Sequence, residues 1–185
     1  CGKFFYPSVP IPPGVEFLGR YDVWDQADKY KWDNTILPYQ YGMRLDAWNP
    51  GSPDWVKVLM GDRNHLDNTT NTGKIILRYQ TSQNQRTMSV SFDTLLDGHT
   101  CLAVNAGGAN SLVFESKWNP AKYEMMLGFA YASPEVGWKV ALYTTREDVD
   151  CSVIAKAHGG GGHQKAAGFN TQDLSLLLPK KENLS

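Results

Sequence analysis

Near the carboxyl end of the chain stands a run of four glycines followed by a histidine, Gly159-Gly160-Gly161-Gly162-His163. An apolar stretch from Val149 to Ala155 precedes this run, and the stretch from Ala166 to Phe169 follows it. Glycine is less stable than alanine by roughly 0.5–1 kcal/mol inside a regular element, so such a run is expected where the backbone must approach a ligand closely. Successive N–H groups without side chains can converge on an anion, and a neighbouring imidazole can donate a hydrogen bond to it. The run therefore predicts a phosphate-binding turn.

A flexible linker is the alternative explanation of the same glycines. Linkers usually mix glycine with serine and join separately patterned regions, whereas both flanks here are short and apolar. Asp150 or Ser152 can cap a helix at this point. Val153, Ile154 and Ala157 share one face of that helix, and a helix end commonly needs a left-handed glycine. An ordered turn after a helix is therefore favoured over a tether.

The composition is that of a globular protein with one substantial core. Of the 185 residues 42% are hydrophobic, and a chain of this length buries on the order of 70% of its unfolded surface. The net charge of −1 gives no overall attraction to long duplex DNA or to an anionic membrane. No apolar run approaches the roughly 20 residues of a membrane span. We therefore expect a cytoplasmic protein with a small partner; the oligomeric state stays open, a homodimer included.

The three cysteines stand at wide and irregular positions, Cys1, Cys101 and Cys151. This spacing suits neither a disulfide framework nor a structural zinc site, so reduced, buried thiols are expected. Because the first residue is a cysteine rather than a methionine, we also expect the chain to be a fragment of a longer protein.

The hydrophobic pattern predicts helices first and a sheet afterwards. Helices are predicted from Pro13, over Thr35–Trp48, from Ser52 and Pro53, over Gly73–Thr87 and, shorter, over Ala109–Ser116. Strands are predicted where Met88, Val90 and Phe92 alternate, after a turn at Asp97–Gly98, over Tyr123–Tyr131 and over Trp138–Leu142. This order predicts an α/β or α+β fold, with a mixed sheet of about four to five strands flanked by helices and preceded by a helical linker segment.

The segment from Val149 to Phe169 resembles the signature of the DHH-associated C-terminal domain of the DHH phosphoesterases. That family includes RecJ-like exonucleases and nano-RNase or oligoribonuclease enzymes. The segment Tyr21–Asp25, which follows a proline-rich stretch, is similar to the end of the catalytic domain in the oligoribonuclease branch. The resemblance implies that residues 1–50 are a remnant of the catalytic domain and linker. Residues 51–185 would then form the DHH-associated substrate-binding domain.

The resemblance also implies a manganese-dependent phosphoesterase as the full-length protein. Family enzymes hydrolyse phosphodiester bonds with two manganese ions, held about 3.5–4 Å apart by aspartates and histidines of the N-terminal domain. This chain has no Asp-His-His triplet and no early Asp-x-Asp pair, so alone it is expected to be inactive. Asp22 is the one position that matches a family metal ligand; the alternative is a solvated carboxylate at a helix end.

Substrate contacts are expected at several places besides the glycine–histidine loop, namely Ser152, Asn110, Ser111 and Arg146. The ligand would be a short oligonucleotide or a small nucleotide. Asn110 and Ser111 follow a second glycine turn, which either presents N–H groups to an anion or simply connects a strand to a helix. Arg146 either replaces the family arginine that is missing at Tyr143 and Thr144, or is a solvated loop residue. A metal between His158 and His163 is disfavoured because the glycines leave their geometry undefined.

A second function class remains open from the sequence. The alternative is a non-catalytic nucleotide- or nucleic-acid-binding module, as the similar domain of alanyl-tRNA synthetase is. Both functions require the glycine–histidine loop to bind, and they differ only in whether metal ions act on the bound ligand.

Overall fold

The computed structural model describes residues 10–45 and 51–177. It divides the chain into two compact units, Cys1–Gln80 and Thr81–Ser185. The division falls inside a 27-residue helix, Arg63–Ser89. Domains at residues 1–50 and 51–185 stay a prediction. Within the described residues, no helix is both long and apolar enough to cross a bilayer.

The first unit is helical. Its helices are α1 (Pro13–Asp22), α2 (Lys29–Lys31), a π-helical turn (Trp32–Ile36), α3 (Leu37–Met43), α4 (Pro53–Met60) and the start of α5 (Arg63–Ser89). Helices α1 and α4 begin at the predicted prolines, because a residue without an N–H fits the first helical position. The core of this unit consists of Phe17, Trp32, Ile36, Tyr39, Met43 and Val58.

The helix predicted over Thr35–Trp48 differs from the observed one. Thr35 and Ile36 belong to the π-helical turn, which runs directly into α3 at Leu37; Pro38, the second residue of α3, has no N–H to donate to the preceding turn. Helix α3 ends at Met43, and residues 46–48 of the predicted helix lie outside the described residues. Gly73 of α5 passes close to this helix, since an added Cβ would lie 1.7 Å from the Pro38 carbonyl oxygen.

Helix α5 corrects two predictions. It begins ten residues before the predicted Gly73, because Asp62 accepts the N–H of His65 and starts the helix in an Asn- and Thr-rich segment of low helix propensity. It also ends later than predicted, so that Met88 belongs to its last turn and is buried. The alternation of Met88, Val90 and Phe92 is therefore not a strand, and the first strand begins at Phe92.

The second unit is built on a six-stranded sheet with the order β1-β2-β3-β4-β6-β5. The strands are β1 (Phe92–Leu96), β2 (His99–Asn105), β3 (Met125–Ser133), β4 (Gly137–Tyr143), β5 (Gly161–His163) and β6 (Ala166–Thr171). Strands β2 and β3 are parallel, and the other neighbours are antiparallel. The predicted class, a mixed sheet with helices, is confirmed. The sheet has more strands than predicted because part of the glycine run is strand β5 and the segment after it is strand β6.

Each face of the sheet has its own core. Helix α6 (Cys151–Ala157) covers one face, where Leu127, Val140 and Phe169 pack with Ile154. The other face packs Leu102, Val104 and Met126 against Phe114. Phe114 belongs to a 3₁₀ turn, Ser111–Phe114, which is shorter than the helix predicted over Ala109–Ser116. The turn begins after Asn110, because the Asn110 side-chain oxygen accepts the Leu112 N–H.

The prediction of reduced, buried thiols is confirmed for two of the three cysteines. Cys101 and Cys151 are free and fully buried. Burial raises the pKa of Cys101 to about 12 and that of Cys151 to about 11, so both stay protonated near neutral pH. Cys1 lies outside the described residues.

Candidate functional site

Helix α6 leads into the glycine run, and Asp150 fixes its start. The Asp150 carboxylate accepts the N–H of Ser152 at 2.8 Å and that of Val153 at 3.3 Å. It also accepts the Ser152 hydroxyl at 2.6 Å. The Ser152 hydroxyl is the largest cause that holds the pKa of Asp150 below its usual value. The Ser152 side chain is therefore engaged in the helix cap.

The first two glycines close the other end of α6. Gly159 adopts a left-handed backbone with φ of +76°. Its N–H donates to the Lys156 carbonyl at 3.0 Å, and the Gly160 N–H donates to the Ala155 carbonyl at 2.8 Å. These two bonds form a Schellman motif, which satisfies carbonyls left open at a helix end. The ordered turn predicted from the sequence is confirmed, but these two N–H groups already have acceptors.

The remaining glycines differ in what surrounds them. A Cβ at Gly160 would lie 2.1 Å from the Gly168 carbonyl oxygen. Gly162 has φ of +144°, and a Cβ there would lie 2.5 Å from the Ala167 Cα. At Gly161, in contrast, a Cβ would meet no atom within 4 Å. The fold thus requires glycine at every position of the run except Gly161.

A cleft of about 730 Å³ lies in the second unit, on the face of the sheet opposite to α6. Its floor consists of residues from three neighbouring strands, and one row across these strands contains only glycine and alanine. Gly128 of β3 pairs with Ala141 of β4, which pairs with Gly168 of β6. The next row is Ala130, Lys139 and Asn170. All six of these residues line the cleft.

Two glycine-bearing turns bound the cleft. The first comprises residues 107–110 after β2, and the second is Gly159 and Gly160 after α6. The Tyr143 hydroxyl donates to the Ala109 carbonyl at 3.1 Å and holds the first turn over the sheet. Burial raises the pKa of Tyr143, so the hydroxyl remains a donor. The cleft therefore joins the two turns that the sequence singled out separately.

The charge of the cleft comes from a residue that the sequence did not single out. Lys139 is exposed, and it is the single charged residue among those that line the cleft. Asn110 and Asn170 add side-chain amides, and the Asn110 oxygen caps the 3₁₀ turn through the Leu112 N–H at 3.0 Å. The only sequence signal for Lys139 was its polar position between Trp138 and Val140, which is typical of any half-exposed strand.

The structure brings together some of the predicted substrate-binding residues. Gly159, Gly160 and Asn110 line the cleft. The others lie outside its lining: Gly161, Gly162, His163, Ser111, Ser152 and Arg146. Their contacts with a ligand stay predictions.

Arg146 and His163 differ in their surroundings. The Arg146 guanidinium pairs with Asp148 through an Nε–Oδ1 distance of 2.9 Å, and this hydrogen bond is the main cause that lowers the pKa of Asp148 to about 2. The Arg146 guanidinium also donates to the Pro120 carbonyl at 3.3 Å. The exposed His163 makes no hydrogen bond through its ring to any described residue. The His163 imidazole therefore has fewer hydrogen-bond partners among the described residues than the Arg146 guanidinium has.

The residues do not fit a metal pair in the described part of the chain. Asp22 is exposed at the end of α1. No group of three or more His, Cys, Asp or Glu residues that could hold a metal ion occurs among the described residues. Manganese takes several oxygen and imidazole ligands, so a lone exposed carboxylate is insufficient.

Comparison with known proteins gives a similar fold. No protein-family model matches the chain, and no curated protein matches it in sequence. The structure is similar to that of the pGpG-specific phosphodiesterase PggH from Vibrio cholerae, with a TM-score of 0.52 and 10% identity. The match covers 91% of this chain and 65% of that one. A structure of an uncharacterized protein from Helicobacter pylori G27 aligns with a TM-score of 0.34 and 15% identity, over 92% of this chain and 56% of that one.

The first similarity shows a phosphodiesterase-related fold at low sequence identity. The chain spans about 65% of the length of that phosphodiesterase. At 10% identity, the similarity concerns the fold alone.

Proposed function

We propose that this chain is the substrate-binding part of a DHH-family phosphodiesterase that acts on short oligonucleotides or related nucleotides. The cleft carries the proposal, because it joins two glycine-bearing turns on one face of the sheet. Its volume of about 730 Å³ lies within the range of roughly 300–1,000 Å³ that is usual for small-molecule sites. The reaction class is supported by the resemblance of Val149–Phe169 to the family signature and by the phosphodiesterase-related fold.

The proposal gives this chain the binding role and assigns hydrolysis to two manganese ions on another domain of a longer protein. The described residues of this chain do not supply the ligands that such a pair requires. Bound manganese would polarise the phosphate and generate the nucleophile from water. The residues of the cleft would hold and orient the ligand, and the turn at residues 107–110 would approach it without bulky side chains.

His163 has a part in this proposal that differs from that of the cleft. It is exposed, follows two glycines on the edge strand β5, and makes no hydrogen bond through its ring to any described residue. A neutral imidazole can donate one hydrogen bond to a phosphate oxygen, and a protonated one also adds charge. We assign it a phosphate contact at the sheet edge, as the family resemblance implies.

The proposal is tested by measuring the binding of a labelled GpG dinucleotide to the full chain. Ala141→Phe places a ring on the cleft floor, so we expect binding to weaken at least about tenfold, a loss of about 1.4 kcal/mol or more. Val153→Phe is the matched control, because Val153 is exposed on α6 and does not line the cleft. Circular dichroism checks that both variants fold.

Ala130→Leu is a second variant with a smaller side chain, for use if Ala141→Phe does not fold. Unchanged GpG affinity in a folded cleft variant would contradict the proposal. The alternative, a non-catalytic module, is decided by the coding sequence upstream of Cys1. Asp-x-Asp and Asp-His-His motifs there support the enzyme, and a start codon immediately before Cys1 supports the module.

A further inference from the structure

Lys139 lies on β4, the middle one of the three strands that form the cleft floor. In strand register it stands between Ala130 of β3 and Asn170 of β6. Ala141 and Tyr143 follow it on the same face of β4, because side chains alternate along a strand. No acidic residue is among those that line the cleft. Lys139 is therefore the one charged residue of a concave surface whose other lining residues are neutral.

The charge of Lys139 is uncompensated, in contrast to other cations of the same unit. The Lys122 ammonium lies 2.8 Å from an Asp93 carboxylate oxygen, and that of Lys165 lies 2.9 Å from one of Glu147. Lys139 has no such carboxylate partner in the described part of the second unit. A single uncompensated charge in a cleft with low-dielectric walls focuses a positive potential there and attracts anions.

We propose that Lys139 binds one phosphate group of the ligand and limits the cleft to nucleotides that enter it through a single phosphate. This inference rests on the proposed function, since it names the group of the cleft that recognises the substrate. One ammonium neutralises the single negative charge of a phosphodiester. A triphosphate would bring further negative charges that no other cation of the cleft lining balances. The ligand class is thus a short oligonucleotide linkage rather than a nucleoside polyphosphate.

The test measures affinities of the full chain for GpG, GMP and GTP, with the variants Lys139→Gln and Lys139→Arg. Loss of a charge-assisted hydrogen bond weakens binding by about tenfold or more, so we expect that loss for GpG in Lys139→Gln and a smaller loss in Lys139→Arg. Affinity in Lys139→Gln is also expected to depend less on NaCl concentration, because a screened charge is gone. In the wild type, GTP is expected to bind no more tightly than GMP.

Lys156→Gln is the matched control, because Lys156 is an exposed lysine of α6 outside the cleft lining. Wild-type affinity and salt dependence in Lys139→Gln would overturn the role of Lys139 while leaving the proposed function intact. Markedly tighter binding of GTP than of GMP would overturn the single-phosphate limit. Absence of GpG binding in the wild type would instead refute the proposed function itself.

Discussion

The glycines of the run from Gly159 to Gly162 serve different purposes. Gly159 supplies a left-handed backbone for the helix cap, and Gly160 and Gly162 allow strand β6 to approach closely. Gly161 has neither a positive φ nor a neighbour within 4 Å of its Cβ position. Of the four glycines, Gly161 is therefore the one that an alanine can replace without a steric clash or a strained backbone.

This difference gives a prediction at Gly160 and Gly161. Gly160→Ala places a methyl group 2.1 Å from a carbonyl oxygen, so we expect the free energy of unfolding to fall by roughly 1–3 kcal/mol. Gly161→Ala is expected to change it by no more than about 1 kcal/mol. Urea unfolding of both variants measures these values. Equal destabilisation of the two would contradict the described packing of the run.

Sequence reasoning at the residue scale identified residues whose chemistry is local. The sequence predicted either Asp150 or Ser152 as the helix cap, and the hydrogen bonds identify Asp150 as the N-cap. Lys139 was missed, because a lysine at an alternating strand position is ordinarily a solvated side chain. The surroundings of Lys139 depend on how β4 pairs with β3 and β6, and this pairing cannot be inferred from the residues near Lys139 in sequence.

Among the elements, helix α6 determines where the glycine run lies. Its N-terminus depends on the Asp150 carboxylate, and its C-terminus depends on Gly159 and Gly160. The helix has only seven residues, and helices of this length are marginal without caps and packing. Both caps therefore contribute directly to the position of the second turn of the cleft.

The Asp150 cap gives a prediction on pH. The pKa of Asp150 is lowered in the folded state, first by the Ser152 hydroxyl. A group whose folded pKa is depressed contributes stability that is present above the unfolded pKa of about 3.9 and is lost as the pH falls through the folded pKa. Asp150→Asn keeps an acceptor but cannot titrate. We therefore expect unfolding free energies measured between about pH 5 and pH 2 to fall less steeply in this variant than in the wild type.

Asp150→Ala is the companion variant, since it removes the acceptor at every pH. Its melting temperature is expected to lie below that of Asp150→Asn at neutral pH, because asparagine is as good an N-cap as aspartate. Identical pH profiles for the wild type and Asp150→Asn would show that Asp150 does not contribute to acid sensitivity.

The errors in the predicted elements have physical causes. Met88, Val90 and Phe92 alternate like a strand, but Met88 is held by the last turn of the long helix α5. Strand β5 was missed because glycine disfavours strands, and only pairing with β6 makes Gly161–His163 extended. Strands β3 and β4 were predicted because large apolar residues alternate along both, although β3 begins and ends two residues later than predicted.

At the scale of the whole molecule, sequence reasoning predicted the class of fold but not the cleft. The turn at residues 107–110 and the turn at Gly159 and Gly160 are far apart in sequence. They meet because β3, β4 and β6 lie side by side and place small residues between them. The order of strands is a property of the complete sheet, so neither turn alone predicts its partner.

The proposed function rests on both the local motif and the complete fold. The motif from Val149 to Phe169 carries the resemblance to DHH phosphoesterases, and the complete fold carries the similarity to a pGpG-specific phosphodiesterase. The cleft adds what neither provides, namely a defined surface with one uncompensated cation. Ligand binding at that surface is the claim on which the proposed function and the role of Lys139 both depend.

Amide chemical shifts of the isotope-labelled full chain, recorded while GpG is added, locate the bound ligand. We predict that the shifts that change with saturation belong to Gly107, Gly108, Lys139 and Gly160, which line the cleft on the face opposite to α6. Val153 and Lys156, which are exposed on α6, are predicted to keep their shifts. Changes confined to α6 or to the helices of the first unit, or no changes at saturating GpG, would contradict binding in the cleft.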